Sequence, residues 1–399
     1  MSKNLRKITA AFTVTAALLL PACGAGADEQ PNGRGNMTQG QEQSSPENTA
    51  PQVEVNKFFP KSDVPVKVSQ SMFVLGDTSD SASGTITNLD TGKRFPLTIK
   101  DGEVTPSQPL AYGTKYKAQI AVTNKDGKRA DNSVTFTTVR PDNLTMPYYN
   151  AESNEEVGVG FSIAVRFDEA IPDKKAAQES VTVEASDGTE VKPYWINEKE
   201  LRLRPKEYWT PGTKVSVRTN IYGVDLGQGL YGQKDSGTNF IVGERRVSIA
   251  DDRNKILNTF VNNKKVRSMP TSMGKPGDLT QPGTYIVNDR REHMIMDSST
   301  YGVASNSANG YVTPVDWATQ ISYSGIYVHS APWSVWAQGN TNTSHGCLNL
   351  SPENAEWFLK TSRKGDIVKV LNTGAPTLSG TDGLGDWNIP WSQWAKGNA

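Results

Sequence analysis

The stretch TSHGCLN at residues 343–349, preceded by GIYVHS at residues 325–330, carries the most specific information in this chain. Cys347 is one of two cysteines among 399 residues, and His293, His329 and His345 are the only histidines. An apolar strand-like run that ends in His329, followed by a cysteine beside a glycine, brings base and nucleophile candidates into one short segment. The sequence therefore predicts a thiol active site in a β-rich segment.

The other cysteine lies at the end of an export signal. Residues 1–23 have a basic start, an apolar stretch at 8–20 and the sequence LPAC at 20–23, which is too short for a membrane-spanning helix. This resembles a bacterial lipoprotein signal, in which Cys23 is lipidated and anchors the protein to the outer face of the cell membrane. An ordinary secretory peptide cut nearby is the alternative. Lipidation of Cys23 would leave Cys347 without a disulfide partner.

Composition separates a tether from the folded part. Residues 24–52 are rich in Gly, Asn, Gln, Ser, Glu and Pro, which predicts a disordered linker. Residues 53–399 are enough for two or three domains. Charge is balanced at 42 basic and 42 acidic residues, and no basic stripe marks nucleic acid as a partner.

Short alternating runs separated by Asp-Gly pairs predict β-structure from residue 53 to about residue 243. The sequence GTKYKAQ at 113–119 recurs as GTKVSVR at 212–218, so we expect two tandem immunoglobulin-like sandwiches at 53–141 and 142–245. Asp168, Glu169 and Asp173 admit a calcium loop as an alternative to solvated turns.

A third segment, residues 246–371, is again β-rich, with one short helix that opens at Ser351-Pro352. The final residues, 372–399, contain Trp387, Trp391 and Trp394 among Gly and Pro. We expect this tail to pack on a neighbouring domain. The predicted fold class is therefore mainly β, with two sandwiches, a β-rich domain bearing a short helix, and a Trp-rich tail.

The sequence SMGKPG at 272–277, PGTY at 282–285, His329-Ser330 and SHGCLN at 344–349 together resemble the L,D-transpeptidase catalytic domain. The whole chain is similar to the large actinobacterial members of that family. The resemblance implies an enzyme without a metal or other cofactor that joins peptidoglycan stem peptides by 3→3 cross-links. It implies a Cys347 thioester, release of D-alanine, and acylation by carbapenems.

The chemistry of these residue types assigns a role to each. Cys347 would be the nucleophile and His329 the base, with the imidazole lowering the thiol pKa. The main-chain carbonyl of Ser330 would orient the imidazole, as the resemblance implies. Gly346, with the amides around it, would form the oxyanion hole, and His345 would support that loop.

Further pocket residues follow from the resemblance alone. They line the donor site under a mobile flap at about residues 298–317, and they are Met296, Tyr301, Tyr311, Ser324, Gly325, Trp333 and Asn349. His293 lies in a charged run and is interpreted as a solvated residue. Trp336 and Asn340 lie in the approach loop at 333–343, and the sequence does not assign them a role.

Three alternatives remain at this level. A secreted Cys/His peptidase or a sortase-like enzyme uses the same residue types, although the only arginine after Cys347 is Arg363. A zinc site from Cys347 and the three histidines would need tetrahedral convergence and lacks a Cys-x-x-Cys pair. A non-catalytic wall-binding module would not require the Cys/His set.

Overall fold

The computed structural model describes residues 55–58, 68, 73–75, 79–124, 126–307 and 310–399. The predicted signal peptide, the lipidation site Cys23 and the tether at 24–52 lie outside these residues. The described part of the chain falls within one compact unit, Gln52–Ala399. Within it, no helix combines the length and the apolar character that a membrane crossing requires.

Seven antiparallel strands form the first immunoglobulin-like region: β1 Val55–Phe58, β2 Phe73–Leu75, β3 Ser79–Asn88, β4 Arg94–Lys100, β5 Glu103–Pro106, β6 Lys115–Asn124 and β7 Arg129–Thr137. Their order is β1-β2-β5-β4-β3-β6-β7. Strand β4 pairs with β3 through residues 94–96 and with β5 through residues 97–100. It therefore links two halves, and Phe73, Ile86 and Tyr116 from both halves meet in one core.

The second region contains β8 Asn143–Thr145, β9 Pro147–Tyr149, β10 Glu155–Val157, β11 Ile163–Phe167, α1 Lys174–Glu179, β12 Val181–Ala185, β13 Lys192–Trp195, β14 Glu200–Arg204, β15 Lys214–Thr219, β16 Leu230–Gly232 and β17 Ser236–Val242. The sheets β10-β17-β15-β12 and β13-β14-β11-β9 enclose a core that includes Phe161, Trp195, Trp209 and Phe240. This is the sandwich that the sequence predicts.

The internal repeat corresponds to one local structure used twice. Gly113 and Gly212 have φ of +58° and +87°, a backbone conformation that favours glycine, and each lies two residues before the start of a strand, β6 or β15. The amide of Gly113 donates to Val139 O, just after β7, and that of Gly212 donates to Val242 O, at the end of β17; β7 and β17 are the strands that pair with β6 and β15. The same turn therefore starts the equivalent strand in both copies.

The carboxylates considered as a calcium loop have local partners. Asp168 Oδ1 accepts a hydrogen bond of 2.6 Å from Thr145 Oγ1. Asp173 caps helix α1 by accepting from the amide of Ala176. Such bonds to hydroxyl and backbone groups account for these side chains as turn and cap residues.

The third region contains β18 Arg246–Asp251, β19 Ile256–Val261, β20 Lys264–Pro270, β21 Gly283–Ile286, β22 Arg290–Asp297, β23 Val312–Gln320, β24 Tyr327–Ser330, β25 Leu348–Leu350, α2 Pro352–Thr361 and β26 Ile367–Leu371. It has two sheets, β20-β19-β18-β26-β21 and β22-β23-β24-β25. Their facing side chains, including Tyr285, Val328, Leu348 and Val368, share one core with Phe358 of helix α2. As predicted, Ser351 caps α2 and Pro352 occupies its first turn.

The tail returns to the second sandwich, as the sequence predicts. Helix α3, Trp391–Trp394, buries Trp394 completely, and its indole N–H donates to Lys192 O at 2.8 Å. The guanidinium of Arg204 lies 4.3 Å from the Trp394 ring centroid and 4.5 Å from that of Trp387. These cation–π contacts stabilise the packing of the C-terminal tail on strand β14.

The second sandwich and the catalytic region share a tight boundary. The amides of Gly158 and Gly160 donate to Lys364 O at 2.7 Å and to Gly365 O at 2.9 Å. A Cβ atom at Gly158 would lie 2.3 Å from the backbone nitrogen of Asp366, so this position requires glycine. Buried Arg202 also bonds to Glu200 within the sandwich and to the Asp386 carboxylate of the tail, at 2.5 and 3.4 Å.

Candidate active site

Two short parallel strands form the floor of the site. Strand β24 ends in His329-Ser330, and its neighbour β25 begins directly after Cys347. The register places His329 opposite Asn349. Because an apolar core lies beneath both strands, these polar side chains are held at the edge of a packed interior, with His329 and Asn349 each only 3% exposed.

The imidazole of His329 has a defined tautomer. Its Nδ1 lies 2.9 Å from the carbonyl oxygen of Ser330, which can only accept, so Nδ1 carries the proton. Nε2 is then free to accept a proton. Burial lowers the pKa of His329 to about 4, so the ring is neutral at rest.

The thiol of Cys347 is also neutral at rest. Burial raises its pKa to about 11, and a hydrogen bond with the backbone of Tyr327 offsets only part of this rise. The thiol donates to Gly325 O, with a sulfur–oxygen distance of 3.6 Å. The expectation that the imidazole lowers the thiol pKa is therefore wrong for this resting state, because burial raises that pKa and no contribution from His329 offsets the rise.

Ser344 holds the nucleophile loop, a role that we assigned to His345 from the sequence. The Ser344 hydroxyl donates to Cys347 O at 2.7 Å and accepts from the amide of Gly346 at 3.0 Å. The Gly346 amide is thereby engaged, which leaves the amides of His345 and Cys347 as the candidate oxyanion donors. Gly346 has φ of +123°, and a Cβ atom there would lie 2.8 Å from Ile326 Cδ1.

His345 instead points to the rim. It is exposed, and its Nε2 lies 3.0 Å from Lys275 Nζ. Its ring stacks on Tyr311 with centroids 5.1 Å apart. The ammonium of Lys275 can only donate, so Nε2 of His345 accepts and the ring is not placed to take a proton through that atom.

A cavity of about 360 Å³ opens over the thiol. Its lining residues are Met296, Tyr311, Thr313, Val315, His329, Trp333, Thr343, Ser344, His345, Cys347 and Asn349. Ser324 is not among these residues, and its hydroxyl donates to Ser322 Oγ at 3.1 Å. Gly325 contributes its carbonyl to the thiol, and the side chain of Tyr301 lies outside the described part.

The flap is a β-hairpin more than a loop. Strands β22 and β23 pair up to Asp297 opposite Val312, so most of the second half of the segment predicted at 298–317 is strand. The connecting segment starts with a 3₁₀ helix, Ser298–Tyr301, and Ser298 and Tyr311 are hydrogen-bonded across its base. His293 lies on this hairpin, is exposed and pairs with Asp316 at 2.7 Å.

Asn349 presents an unpaired acceptor to the cavity. Its Nδ2 donates to Ser334 Oγ at 3.1 Å, whereas its buried Oδ1 has no hydrogen-bond partner. A buried carbonyl oxygen without a partner costs free energy unless a donor arrives. The Oδ1 atom is therefore available to a substrate N–H or to the protonated His329 ring.

Sequence analysis missed the residues whose hydrogen bonds hold other residues of the site in place. Thr280 accepts from the Gly274 amide and donates to Gly346 O at 2.7 Å, joining two loops beneath the nucleophile. Ser334 fixes Asn349, and Ser344 fixes Gly346. Serine and threonine are common in loops, so no composition signal distinguished these three positions.

The structure argues against two of the alternatives that the sequence left open, the zinc site and the sortase-like site. Across the described residues, no group of three or more His, Cys, Asp or Glu side chains is placed to bind a metal. Arg363 does not face the thiol, because its Nε pairs with Glu156 at 2.8 Å at the boundary with the second sandwich. A sortase-like arginine is thus not at this site.

Comparisons with known proteins identify the family of the chain. Residues 245–370 match the family model of the L,D-transpeptidase catalytic domain, and residues 85–225 match that of a bacterial Ig domain. L,D-transpeptidase 2 of Mycobacterium tuberculosis is 53% identical over 293 residues, covering 73% of this chain and 72% of that protein. L,D-transpeptidase 5 of the same species is 29% identical over 349 residues, covering 85% and 74%.

A solved structure of an LD transpeptidase in complex with imipenem has a TM-score of 0.50 and 32% sequence identity with this chain. It covers 56% of this chain, and 97% of that chain is matched. The fold and the thiol site define a cysteine acyltransferase. The chain belongs to the L,D-transpeptidase family, and it is an enzyme of that class.

Proposed function

We propose that this L,D-transpeptidase forms 3→3 cross-links between peptidoglycan stem peptides through a thioester on Cys347. The observation that carries the proposal is the shared cavity of Cys347 and His329, with Nδ1 of the imidazole committed to Ser330 O. A neutral thiol beside a neutral imidazole is suited to attack in which proton transfer and carbon–sulfur bond formation occur together.

In the first half-reaction, the sulfur of Cys347 attacks the carbonyl carbon of the third residue of a donor tetrapeptide. Nε2 of His329 takes the thiol proton as the bond forms. The negative oxygen of the tetrahedral intermediate would accept hydrogen bonds from the amides of Cys347 and His345. The bond to the terminal D-alanine then breaks, and His329 returns the proton to the leaving amine.

In the second half-reaction, the side-chain amine of an acceptor stem attacks the thioester carbonyl. His329 removes a proton from this amine, and the Cys347 sulfur leaves and recovers a proton. Asn349 supports both steps, because its unpaired Oδ1 can accept from Nε2–H of the imidazolium that forms transiently. The imidazole then needs no buried carboxylate to stabilise its charged form.

Carbapenem acylation tests the first half-reaction. The relative solved in complex with imipenem motivates the choice of ligand. Incubation of the purified protein with imipenem should add one covalent adduct by intact-protein mass spectrometry, and Cys347→Ala should abolish it. An adduct that persists in the Cys347→Ala protein, or that disappears on addition of a chelator, would contradict the proposed thiol mechanism.

Cross-linking itself requires a separate measurement. A stem tetrapeptide serves as both donor and acceptor, and its dimer is analysed by tandem mass spectrometry. The proposal expects release of one D-alanine per dimer and an amide bond between the third residues of the two stems. Release of D-alanine without dimer at any acceptor concentration would show a carboxypeptidase instead.

We also propose that the protein is exported and lipid-anchored through Cys23, on the strength of the signal-like residues 1–23. The anchor would place the thiol site at the outer face of the membrane, next to nascent wall. Membrane fractionation checks this: the native chain should sediment with membranes, and Cys23→Ser should shift it to the soluble exported fraction. Equal membrane recovery of both proteins would contradict the anchor.

A further inference from the structure

A rigid turn follows His329 and presents two tryptophans. Residues Pro332–Ser334 form a 3₁₀ helix, and the amides of Ser334, Ala337 and Asn340 continue the turn by donating to carbonyls three residues earlier. Ser334 is 3% exposed and Ala337 fully buried, which anchors the turn. Trp333 and Trp336 are 53% and 71% exposed.

The two tryptophans share one side of this turn. Side chains three residues apart align in 3₁₀ geometry, and the burial of Ser334 and Ala337 identifies the opposite side. We call Trp333 and Trp336 the Trp ledge. Its inner member lines the cavity, with its ring centroid 6.1 Å from that of His329. The Trp ledge therefore extends the lining of the cavity from His329 toward solvent.

The loop that carries the ledge has no charged side chain of its own, although its Asn342 Nδ2 donates to Asp252 Oδ1 at 2.7 Å. Residues 331–343 contain no Asp, Glu, Lys or Arg. An exposed indole face attracts a cation, because the ring quadrupole is negative on its faces. The cation that the proposed second half-reaction brings toward His329 is the ammonium group of the acceptor side chain.

A carboxylate in place of the tryptophans would bind that ammonium but would be unfavourable for its reaction. It would raise the pKa of the amine and oppose the proton loss that must precede attack on the thioester. A tryptophan face attracts the ammonium weakly and places no opposite charge beside it. An uncharged aromatic surface can therefore bind the acceptor ammonium without opposing its later deprotonation.

We propose that the Trp ledge guides the acceptor ammonium to the Cys347 thioester by cation–π contact, and that Trp336 is a specificity-determining residue for amine acceptors. This inference rests on the proposed cross-linking function and names the group that its second step recognises. It concerns the acceptor half-reaction, so its test changes only the outer tryptophan, Trp336, and leaves Trp333, Met296 and Tyr311 at the cavity unchanged.

The test compares Trp336→Leu and Trp336→Phe with the native protein. Leu keeps a large apolar side chain without a ring face, and Phe keeps a weaker one. Using stem tetrapeptide as acceptor, the Leu variant should raise the acceptor KM about two- to fivefold, with Phe between Leu and native. The imipenem acylation rate and the hydrolysis rate of the acyl-enzyme should not change.

The control is Val335→Ala, which removes exposed apolar surface from the same turn without touching an indole. It should leave the acceptor KM unchanged. An acceptor KM equal in native and Trp336→Leu proteins, or a slower imipenem acylation in Trp336→Leu, would overturn the inference alone. Absence of any amine transfer by the native protein would overturn the proposed function, and the inference with it.

Discussion

The two histidines beside Cys347 lie in opposite environments, although the sequence places both within one short window. His329 is buried in the strand floor, with its Nδ1 committed to a backbone carbonyl. His345 is exposed on the rim, between Lys275 and the flap residue Tyr311. The difference teaches that burial on a strand, not proximity in sequence, equips an imidazole to act as the base.

The floor and the rim also differ in how they are held. Strands β24 and β25 sit on a packed core that fixes their side chains. The rim depends on single side-chain contacts, such as the Lys275–His345 bond and the Tyr311–His345 stack. Substitutions in the floor should therefore cost far more activity than substitutions in the rim.

The largest effect should come from the floor base. His329→Gln removes the proton acceptor but keeps a planar polar side chain, and we expect turnover to fall about 100- to 10,000-fold. Steady-state D-alanine release measures this, with the melting temperature as a check that the fold is retained. Turnover within tenfold of native would show that another residue is the base, and it would remove the proposed difference in role between His329 and His345.

The pH dependence of the thiol probes the same floor. With the Cys347 pKa raised to about 11 by burial, the reactive thiolate increases as pH rises toward that value. In a Cys23→Ser background, alkylation by iodoacetamide should accelerate about tenfold per pH unit between about pH 6 and 9. A rate that is flat across this range would instead indicate a resting thiolate–imidazolium pair.

A smaller loss is expected from the loop under the nucleophile. Ser344→Ala leaves the Gly346 amide and the Cys347 carbonyl without their partner, at a cost of about 1–3 kcal/mol. Imipenem acylation should slow about tenfold as the loop shifts. Ser324→Ala is the matched control, because the hydrogen bond of that hydroxyl goes to Ser322 and not to the nucleophile loop, and it should acylate at the native rate.

The smallest effect belongs to the rim. His345→Gln loses the stack on half-buried Tyr311 and the contact with Lys275, but the ring it removes is exposed at the rim. We expect turnover and imipenem acylation to stay within about twofold of native. A loss comparable to that of His329→Gln would show that His345 takes part in proton transfer.

Much of the architecture was predictable because it depends on local patterns. Alternating runs predicted the strands, and the Asp101-Gly102 pair predicted the hairpin between β4 and β5, where both residues have positive φ. Ser351-Pro352 predicted the start of helix α2. The Trp-rich tail predicted that the end of the chain packs on another domain, and Trp394 does pack on the second sandwich. Each signal lies within a few neighbouring residues.

The site was predictable in its reactive residues and not in its supports. Rarity singled out Cys347 and His329, since the chain has two cysteines and three histidines. The bonds that hold the site join residues far apart: Thr280 to Gly346, and Lys275 to His345. No local pattern encodes such pairs, so sequence analysis assigned Thr280 no role, and Ser344 was recognised in the motif without its supporting role.

The sequence by itself determined which atoms can react: one unpaired thiol candidate, one imidazole at a strand end, and a glycine where the loop turns. Only the tertiary structure decided their protonation and their division of labour. Burial of Cys347 and His329 raises the pKa of one and lowers that of the other, so both are neutral at rest. Desolvation arises from all the atoms packed around a group, and those atoms are brought together only by folding.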